Sequence, residues 1–482
     1  MSVVTLQIGQ CGNQLGKCFL DTLAKELCSP GYDSQDWDVF FRHARSPSCC
    51  GQIARAVLID TEPKAVHAAL SGHRLCPNWS YSPRCAFTQQ SGSGNNWALG
   101  FNGQGNIVQE AAMDIVRREV EQCDVLGGLL TLQSMAGGTG AGLGARIAET
   151  LRDEFPFASI LNHCVWPHSS GEVVVQNYNA LLTVSHLLEH ANGVAIVENE
   201  VLHQACQQLY ELRRPAFAHM NAVATKSLVC ALLPSRTRSP GGKAAQAGCL
   251  LGSGVSRRYA IGAANPAGDT GWPGACRMPG QAGERRQTFR LHDWLEHLCA
   301  HPRYQLISLC SIPHVPARSM DYTTFTWQAL LKRLKHMAAT GAPLEGVHGW
   351  GDAADNRMGT SSNPTTVRNR SVANLLILRG KASGTADSSA FSDPSLYVGW
   401  NPEPLRVCSS TVRYAGCEMS AAMLSNSQRC VVPIRRAQGR AWEMFKSRAF
   451  LHHYERHGLE AADFRAVFAR IEELLENYRL LC

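Results

Sequence analysis

Residues 133–142 read QSMAGGTGAG, and six of the eight residues from Ala136 to Leu143 are glycine or alanine. Each glycine costs backbone entropy on folding, so such a run persists where a bare backbone must come close to something. Gly137, Gly138, Gly140 and Gly142, with the Thr139 hydroxyl between them, suit phosphate oxygens. Their N–H groups can approach closely, and the helical pattern GARIAETLRDEF that follows adds the positive potential of a helix N-terminus. A tight strand–helix crossover without a ligand would use the same residues. No Lys-Ser/Thr pair follows, so this is not a P-loop. A dinucleotide fingerprint belongs after the first strand, whereas this run lies about 130 residues into the chain, which disfavours an NAD-type oxidoreductase.

The elements that must hold this loop are legible around it. Over the first 200 residues short apolar runs alternate with helical patterns, which predicts α/β units on a largely parallel sheet. Val3–Ile8, Ala56–Asp60, Gly128–Leu132 and Ala195–Glu198 read as buried strands, and they end in GQCGNQLG, DTEPK, QSMAGGTGAG and ENE. Open α/β sheets bind ligands at the carboxyl ends of their strands, so these loops predict one shared site. Helical patterning over 205–232 breaks near Arg213–Pro215, and a long helix is expected from Phe217 with Met220, Val223, Ala224 and Leu228 as its apolar stripe.

Residues 233–288 carry eight Lys/Arg against two Asp/Glu, a net +6 of the chain's +7, and read as a disordered basic insertion. Tyr259 and Trp272 are its only aromatics, too few to stack on bases, so nucleic acid is not the expected partner. Order is expected again at Asp293–His301, YQLISLCSIPH and YTTFTWQALLKRL, followed by a loose stretch at 339–368 and the strand-like VANLLIL. The chain closes with the helical AWEMFKSRAFLHHYERHG and Glu460–Tyr478. There Phe464, Val467, Phe468, Ile471, Leu474 and Leu475 form an apolar stripe.

At about 150 residues each, 482 residues make two or three domains, and 45% hydrophobic with 18% charged is a globular balance. No apolar run reaches the ~18 residues of a membrane span, and VVTLQI is too short for a secretory signal, so a cytosolic or nuclear protein without a membrane partner is expected. Nineteen cysteines without a single C-x-x-C argue for small buried hydrophobes rather than a zinc ribbon or a disulfide framework, and the N-x-S sequences at Asn78 and Asn369 carry no expected role.

Taken together and in order, GQCGNQLG, RAVLIDTEPK, QSGSGNNWALG, AGGTGAGLG, GEVVVQNYN and ENE resemble the nucleotide-binding loops of the tubulin family. The resemblance spans nearly the whole chain apart from 233–288 and much of 339–368. It implies an α/β fold: a tubulin-like GTP-binding domain over 1–200 with a parallel sheet and helices on both faces, and a central helix region over 201–232. After the insertion it implies an α+β intermediate domain at 289–384 and a helical C-terminal domain at 385–482. The ligands it implies are GTP or GDP with Mg²⁺. On this reading Gln10 and Cys11 open the first phosphate loop, with Gln14 near the base. Asp60 and Glu62 stand beside the triphosphate, and one or both hold Mg²⁺ through water, as a hard ion among phosphates prefers. Gly92, Ser93, Gly94, Asn95 and Asn96 wrap the γ-phosphate, and Ser134, Gly137, Gly138, Thr139 and Gly140 cradle the inner phosphates. Glu172 matches a ribose contact, while Gln176 stands where an acid is common. Asn199 and Asn221 address the guanine edge, and Phe217 stacks where tyrosine is usual. Ala136 replaces a common glycine.

The same resemblance implies that hydrolysis is completed by a neighbouring subunit. Asp293 takes the place of the acidic residue that orients water in alpha-type chains, and Glu296 follows one turn later. Thr288 and Arg290 depart from the Asn and Asp usual in that segment. SVVTLQIGQCGNQLG, YTTFTWQALLKRL, SVANLLILRGK and AWEMFKSRAFLHHY are most similar to a branch of the family associated with centrioles and basal bodies. That places the protein in the cytoplasm and cytoskeleton, at the centrosome, basal body or cilium, with the nucleus as a further site. Its implied partners are alpha- and beta-type subunits, another non-lattice tubulin, and centriolar proteins. The sequence ends at YRLLC without a glutamate-rich tail, which argues against a bulk microtubule subunit. Slow, assembly-dependent GTP hydrolysis is one expectation. A non-polymerising GTP-binding scaffold that pairs with another tubulin is the alternative.

Overall fold

The computed structural model describes residues 1–44, 51–72, 78–171, 173–237, 291–315, 319, 322–344 and 369–481. Along the N-terminal half run β1 (Ser2–Ile8), α1 (Gly9–Leu27), α2 (Ser34–Trp37), β2 (Phe41–His43), β3 (Gln52–Ala54), β4 (Ala56–Asp60) and α3 (Pro63–Ser71). They are followed by β5 (Trp79–Ser80), β6 (Ala86–Thr88), α4 (Gly105–Val120), β7 (Leu126–Ser134), α5 (Gly144–Glu154), β8 (Ile160–Trp166) and α6 (Gln176–His190). Then come β9 (Gly193–Glu198), α7 (Asn199–Leu209), α8 (Phe217–Leu232), β10 (Arg236–Thr237), α9 (Leu291–Leu298), β11 (Leu306–Ile312) and α10 (Trp327–Thr340). The last part holds β12 (Ser371–Gly380), β13 (Leu405–Ser410), β14 (Met419–Ser427), α11 (Val432–Lys446), α12 (Leu451–Glu455) and α13 (Ala461–Arg479).

One sheet has the order β10-β13-β12-β14-β11-β9-β8-β7-β1-β4-β6. From β6 to β11 every neighbouring pair is parallel, and β14 then pairs antiparallel with both β11 and β12. β1 shows why the sheet must be covered twice. Its Val3 joins a core with Leu15 and Phe19 of α1 and Leu228 and Val229 of α8, whereas Val4, Leu6 and Ile8 face Val108 and Met113 of α4 and Ile147 of α5. Buried on both faces, such strands read as continuous apolar runs. The second core also takes in Tyr454, Phe464, Phe468, Ile471, Leu474, Leu475 and Tyr478, so the C-terminal helices pack on the same face as α4–α6.

The buried Arg379 of β12 closes the far end of α8. Its guanidinium donates to the carbonyls of Cys230, Leu233 and Pro234, groups that a helix C-terminus leaves without intrahelical partners.

Three boundaries differ from the sequence reading. Residues 405–427, expected within the helical end, supply β13 and β14. LRVCSS and MSAAMLSNS are poor in β-branched and aromatic residues, and pairing with β12 decides their state rather than propensity. Of the looser stretch expected at 339–368, residues 339 and 340 belong to α10 and Ala342 and Leu344 are buried, while 345–368 lie outside the described residues. Arg236–Thr237, at the start of the expected insertion, pairs with Cys408–Ser409, while 238–288 lie outside the described residues. The cysteines among the described residues are free thiols, and among those residues no helix is long and apolar enough to cross a membrane.

Candidate functional site

The glycine run sits at the carboxyl end of β7 and turns directly into α5 through one wide helical turn, Thr139–Leu143. The loops after β1, β4 and β6 meet it there. Gly9 adopts φ +72°, and a Cβ at this position would stand 2.9 Å from the Gly140 nitrogen, so the start of α1 can lie against the glycine run only without a side chain. A Cβ on Gly138 would stand 2.6 Å from Ser93 Cβ and 2.8 Å from the Asn96 carbonyl. The loop 92–96 and the glycine run are therefore seated on one another, and Gly137 faces Asn95 across the same seam.

A chain of hydroxyls crosses the site. Thr139 Oγ1 lies 2.7 Å from Thr61 Oγ1 and 3.0 Å from Ser93 Oγ, which joins the loops after β4, β6 and β7. Glu62 closes the cluster: its exposed carboxylate lies against Gly92, with Oε1 2.7 Å from where a Cβ would stand. Ser134 Oγ accepts from the Ala136 N–H and shapes the turn. Glu62, Gly92, Gly94 and Asn95 are exposed, as are Gln10 and Gln14 on α1, so polar groups ring an accessible rim. The cradle thus has backbone, hydroxyls and a helix N-terminus where phosphates would lie.

Asp60 is buried, and burial pushes its carboxyl up to about 6, against backbone N–H groups of Glu62 and Thr61 that pull it down. A buried carboxylate with Glu62 close by suits a divalent cation, which would restore its charge. Asp60 and Glu62 are the groups that would hold Mg²⁺ through water. Cys11 is half-buried, and burial raises its thiol to about 12; it behaves as a packing group beside the first loop, not as a nucleophile.

The base and sugar candidates occupy a second arc. Asn199 opens α7 at the end of β9, and Phe217 opens α8 with 63% of its surface exposed. Cys18 of α1 touches Thr225 of α8 at 3.3 Å, and Gln14 and Asn221 each lie one turn earlier in their helices. Among the described residues no side-chain hydrogen bond ties Gln14, Asn199 or Asn221 to the glycine run, which leaves their amides available to a ligand edge. Gln176 is turned inward and donates to the His168 carbonyl at 2.6 Å. Glu172 lies outside the described residues.

Two residues of the site lie within the matching loops but are not among the residues singled out there. Thr61, next to Asp60, supplies the hydroxyl bridge described above. Asn179, on the first turn of α6, is fully buried and makes four hydrogen bonds. Its amide donates to the carbonyls of Asn95 at 2.8 Å and Ala136 at 2.7 Å, and its oxygen accepts from the Trp97 N–H at 3.2 Å and the Tyr454 hydroxyl at 2.7 Å. It therefore sets the spacing of the two phosphate-facing loops and anchors them to the C-terminal helices. Its place as the last residue of GEVVVQNYN, one of the matching loops, was the available signal.

Asp293 lies elsewhere. It belongs to α9, whose Leu291 packs at Gly128 and whose His292 meets Ser159, both at the amino ends of β7 and β8. From Gly128 to Ser134 is six residues of strand, about 20 Å at 3.3 Å per residue. Asp293 and the glycine cradle occupy opposite ends of the sheet.

Comparison with known proteins agrees with this architecture. Residues 2–207 match the Tubulin/FtsZ family, GTPase domain. The chain is 35% identical over 497 residues to the tubulin delta chain of Homo sapiens, covering 99% of both chains, and 35% identical to that of Mus musculus with the same coverage. To the tubulin beta-1 chain of Chondrus crispus it is 25% identical, over 99% of this chain and 93% of the relative. The chain belongs to the tubulin family, and its GTPase domain makes a guanine nucleotide the ligand expected in the cradle.

Proposed function

We propose that the chain binds GTP or GDP with Mg²⁺ in the glycine cradle and acts as a delta-type tubulin, a structural and assembly component of centriole and basal-body microtubules. The convergence of the loops after β1, β4, β6 and β7 on one seam, with the bare backbone of Gly138 at its centre, is the observation that carries the nucleotide assignment. The full-length likeness to tubulin delta chains, higher than that to beta chains, supports the type. Gln10, Ser134 and Gly137–Gly140 serve the inner phosphates, Gly92–Asn96 the outer one, and Asn199, Phe217 and Asn221 the base. Other tubulins are its natural partners.

Hydrolysis on this proposal is slow and completed between subunits. With Asp293 about 20 Å of sheet away from its own cradle, the carboxylate can orient water only at a nucleotide held by the next subunit. Asp293→Ala should leave the variant's own nucleotide affinity within about twofold of the parent, because it does not touch the site. Turnover of GTP held by an adjoining chain should fall at least about tenfold, the scale of a lost positioning or general-base group. Single-turnover measurements with and without αβ-tubulin decide the matter. Turnover that is absent in every mixture and indifferent to Asp293 would instead favour a scaffold whose nucleotide stabilises the fold.

A further inference from the structure

We propose that Glu149, His186 and His190 form a binding site for one borderline transition-metal ion, Zn²⁺ in kind, on the face of the nucleotide half away from α1 and α8. One ligand atom from each residue lies within 4.8 Å of the other two. His186 and His190 are four residues apart on α6, so both rings project from one face of the helix, and Glu149 reaches them from the adjacent α5. The two imidazole rings are 4.7 Å apart between centroids, and His186 Nε2 lies 3.4 Å from Glu149 Oε2. Two ligands held tetrahedrally about 2.0–2.1 Å from a zinc ion stand about 3.3–3.4 Å apart, so this pair already has the edge length of such a site. Two imidazoles and one carboxylate on helices are a ligand set for zinc rather than for calcium or magnesium.

The surroundings favour a neutral, lone-pair-bearing imidazole. His186 packs edge-on against Phe101 at 4.8 Å and Trp97 at 6.0 Å, an apolar setting. Of the neighbouring cations, Arg470 is ion-paired to Glu189. Arg146 donates to Gln109 at 3.0 Å and lies over the Phe101 ring, and it also donates to Glu149 Oε2 at 3.1 Å, so the ion would take a carboxylate lone pair beside that bond. A bound ion would fasten α5, which leaves the glycine run, to α6, which carries Asn179 two turns before His186.

The test is Zn²⁺ binding to the full-length protein against a competing chelator, with Co²⁺ as the spectroscopic probe and Glu149→Gln, His190→Asn and His186→Asn/His190→Asn as variants. The expected result is one Zn²⁺ per chain that raises the thermal midpoint, and tetrahedral Co²⁺ absorption without a thiolate charge-transfer band. Each single variant should weaken binding at least 10–100-fold, no less than the loss of an outer-shell partner costs, roughly, in known sites. Glu149→Gln keeps its shape and hydrogen-bonding oxygen, so it distinguishes a lost ligand from a lost fold, and retained guanine nucleotide verifies that the body is intact. Wild-type Zn²⁺ affinity in Glu149→Gln and His190→Asn would overturn the proposal. So would a thiolate band, which would place the ion on some of the chain's 19 cysteines, or the absence of saturable binding.

Discussion

Gly138→Ala is expected to weaken guanine-nucleotide binding by roughly 5–150-fold, equivalent to the ~1–3 kcal/mol that overpacking a tight contact costs. The added methyl would meet Ser93 Cβ at 2.6 Å, the Ser93 carbonyl at 2.7 Å and the Asn96 carbonyl at 2.8 Å. Two of these are backbone atoms of a loop that is itself held by Asn179, so relief cannot come from a rotamer change. The seam must open, and with it the bridges from Thr139 to Ser93 and Thr61. Calorimetric titration with GDP and Mg²⁺ reads the loss directly. Gly384→Ala is the matched control, since nothing lies within 4 Å of a Cβ there, and its affinity should be unchanged. Equal affinity of Gly138→Ala and the parent protein would mean that this seam does not shape the nucleotide site.

Asn179→Ala should be the more damaging substitution for stability, with a loss of about 3–5 kcal/mol. It strips partners from the Asn95 and Ala136 carbonyls, the Trp97 N–H and the Tyr454 hydroxyl in a fully buried place. Each unsatisfied group costs about 1–3 kcal/mol, moderated by local relaxation. Tyr454→Phe removes only one of the four bonds and should cost about 1 kcal/mol. Denaturant titration of both single variants and the double variant gives the coupling between the C-terminal helices and the phosphate-facing loops. Because Asn179 never needs to touch nucleotide, its loss should lower affinity by misplacing the loops at 95–97 and 136. A variant that keeps both stability and nucleotide would remove Asn179 from the account.

Much of the nucleotide half was legible because its strands are buried on both faces. Val3–Ile8 and Ala56–Asp60 are mostly apolar and wholly buried, and each hands over to a loop rich in glycine or short polar residues. The resemblance to tubulins then depends on loop order, which the sequence displays directly. Asn179 was harder to see because its importance lies in four partners drawn from residues 95–97, 136 and 454, and no local pattern announces a long-range hydrogen-bond hub. β13 and β14 were hidden for another reason. Their residues have weak strand propensity and take their state from β12, whose apolar run alone was conspicuous. The role of Arg379 was equally invisible, since a charged residue inside VANLLILRG reads as a strand end until the carbonyls of α8 are seen around it. The separation of Asp293 from the cradle is likewise a property of the folded sheet, set by which end of β7 each contacts.

The central claim is a guanine nucleotide in the cradle, and its most direct test is the nucleotide content of the purified full-length protein, released by denaturation and separated by chromatography. The account predicts about one GDP or GTP per chain, exchangeable for added guanine nucleotide in the presence of Mg²⁺, resistant to excess ATP or NAD, and depleted in Gly138→Ala. A parent protein that carries no guanine nucleotide and takes none up, or one from which adenine nucleotides compete equally, would contradict it.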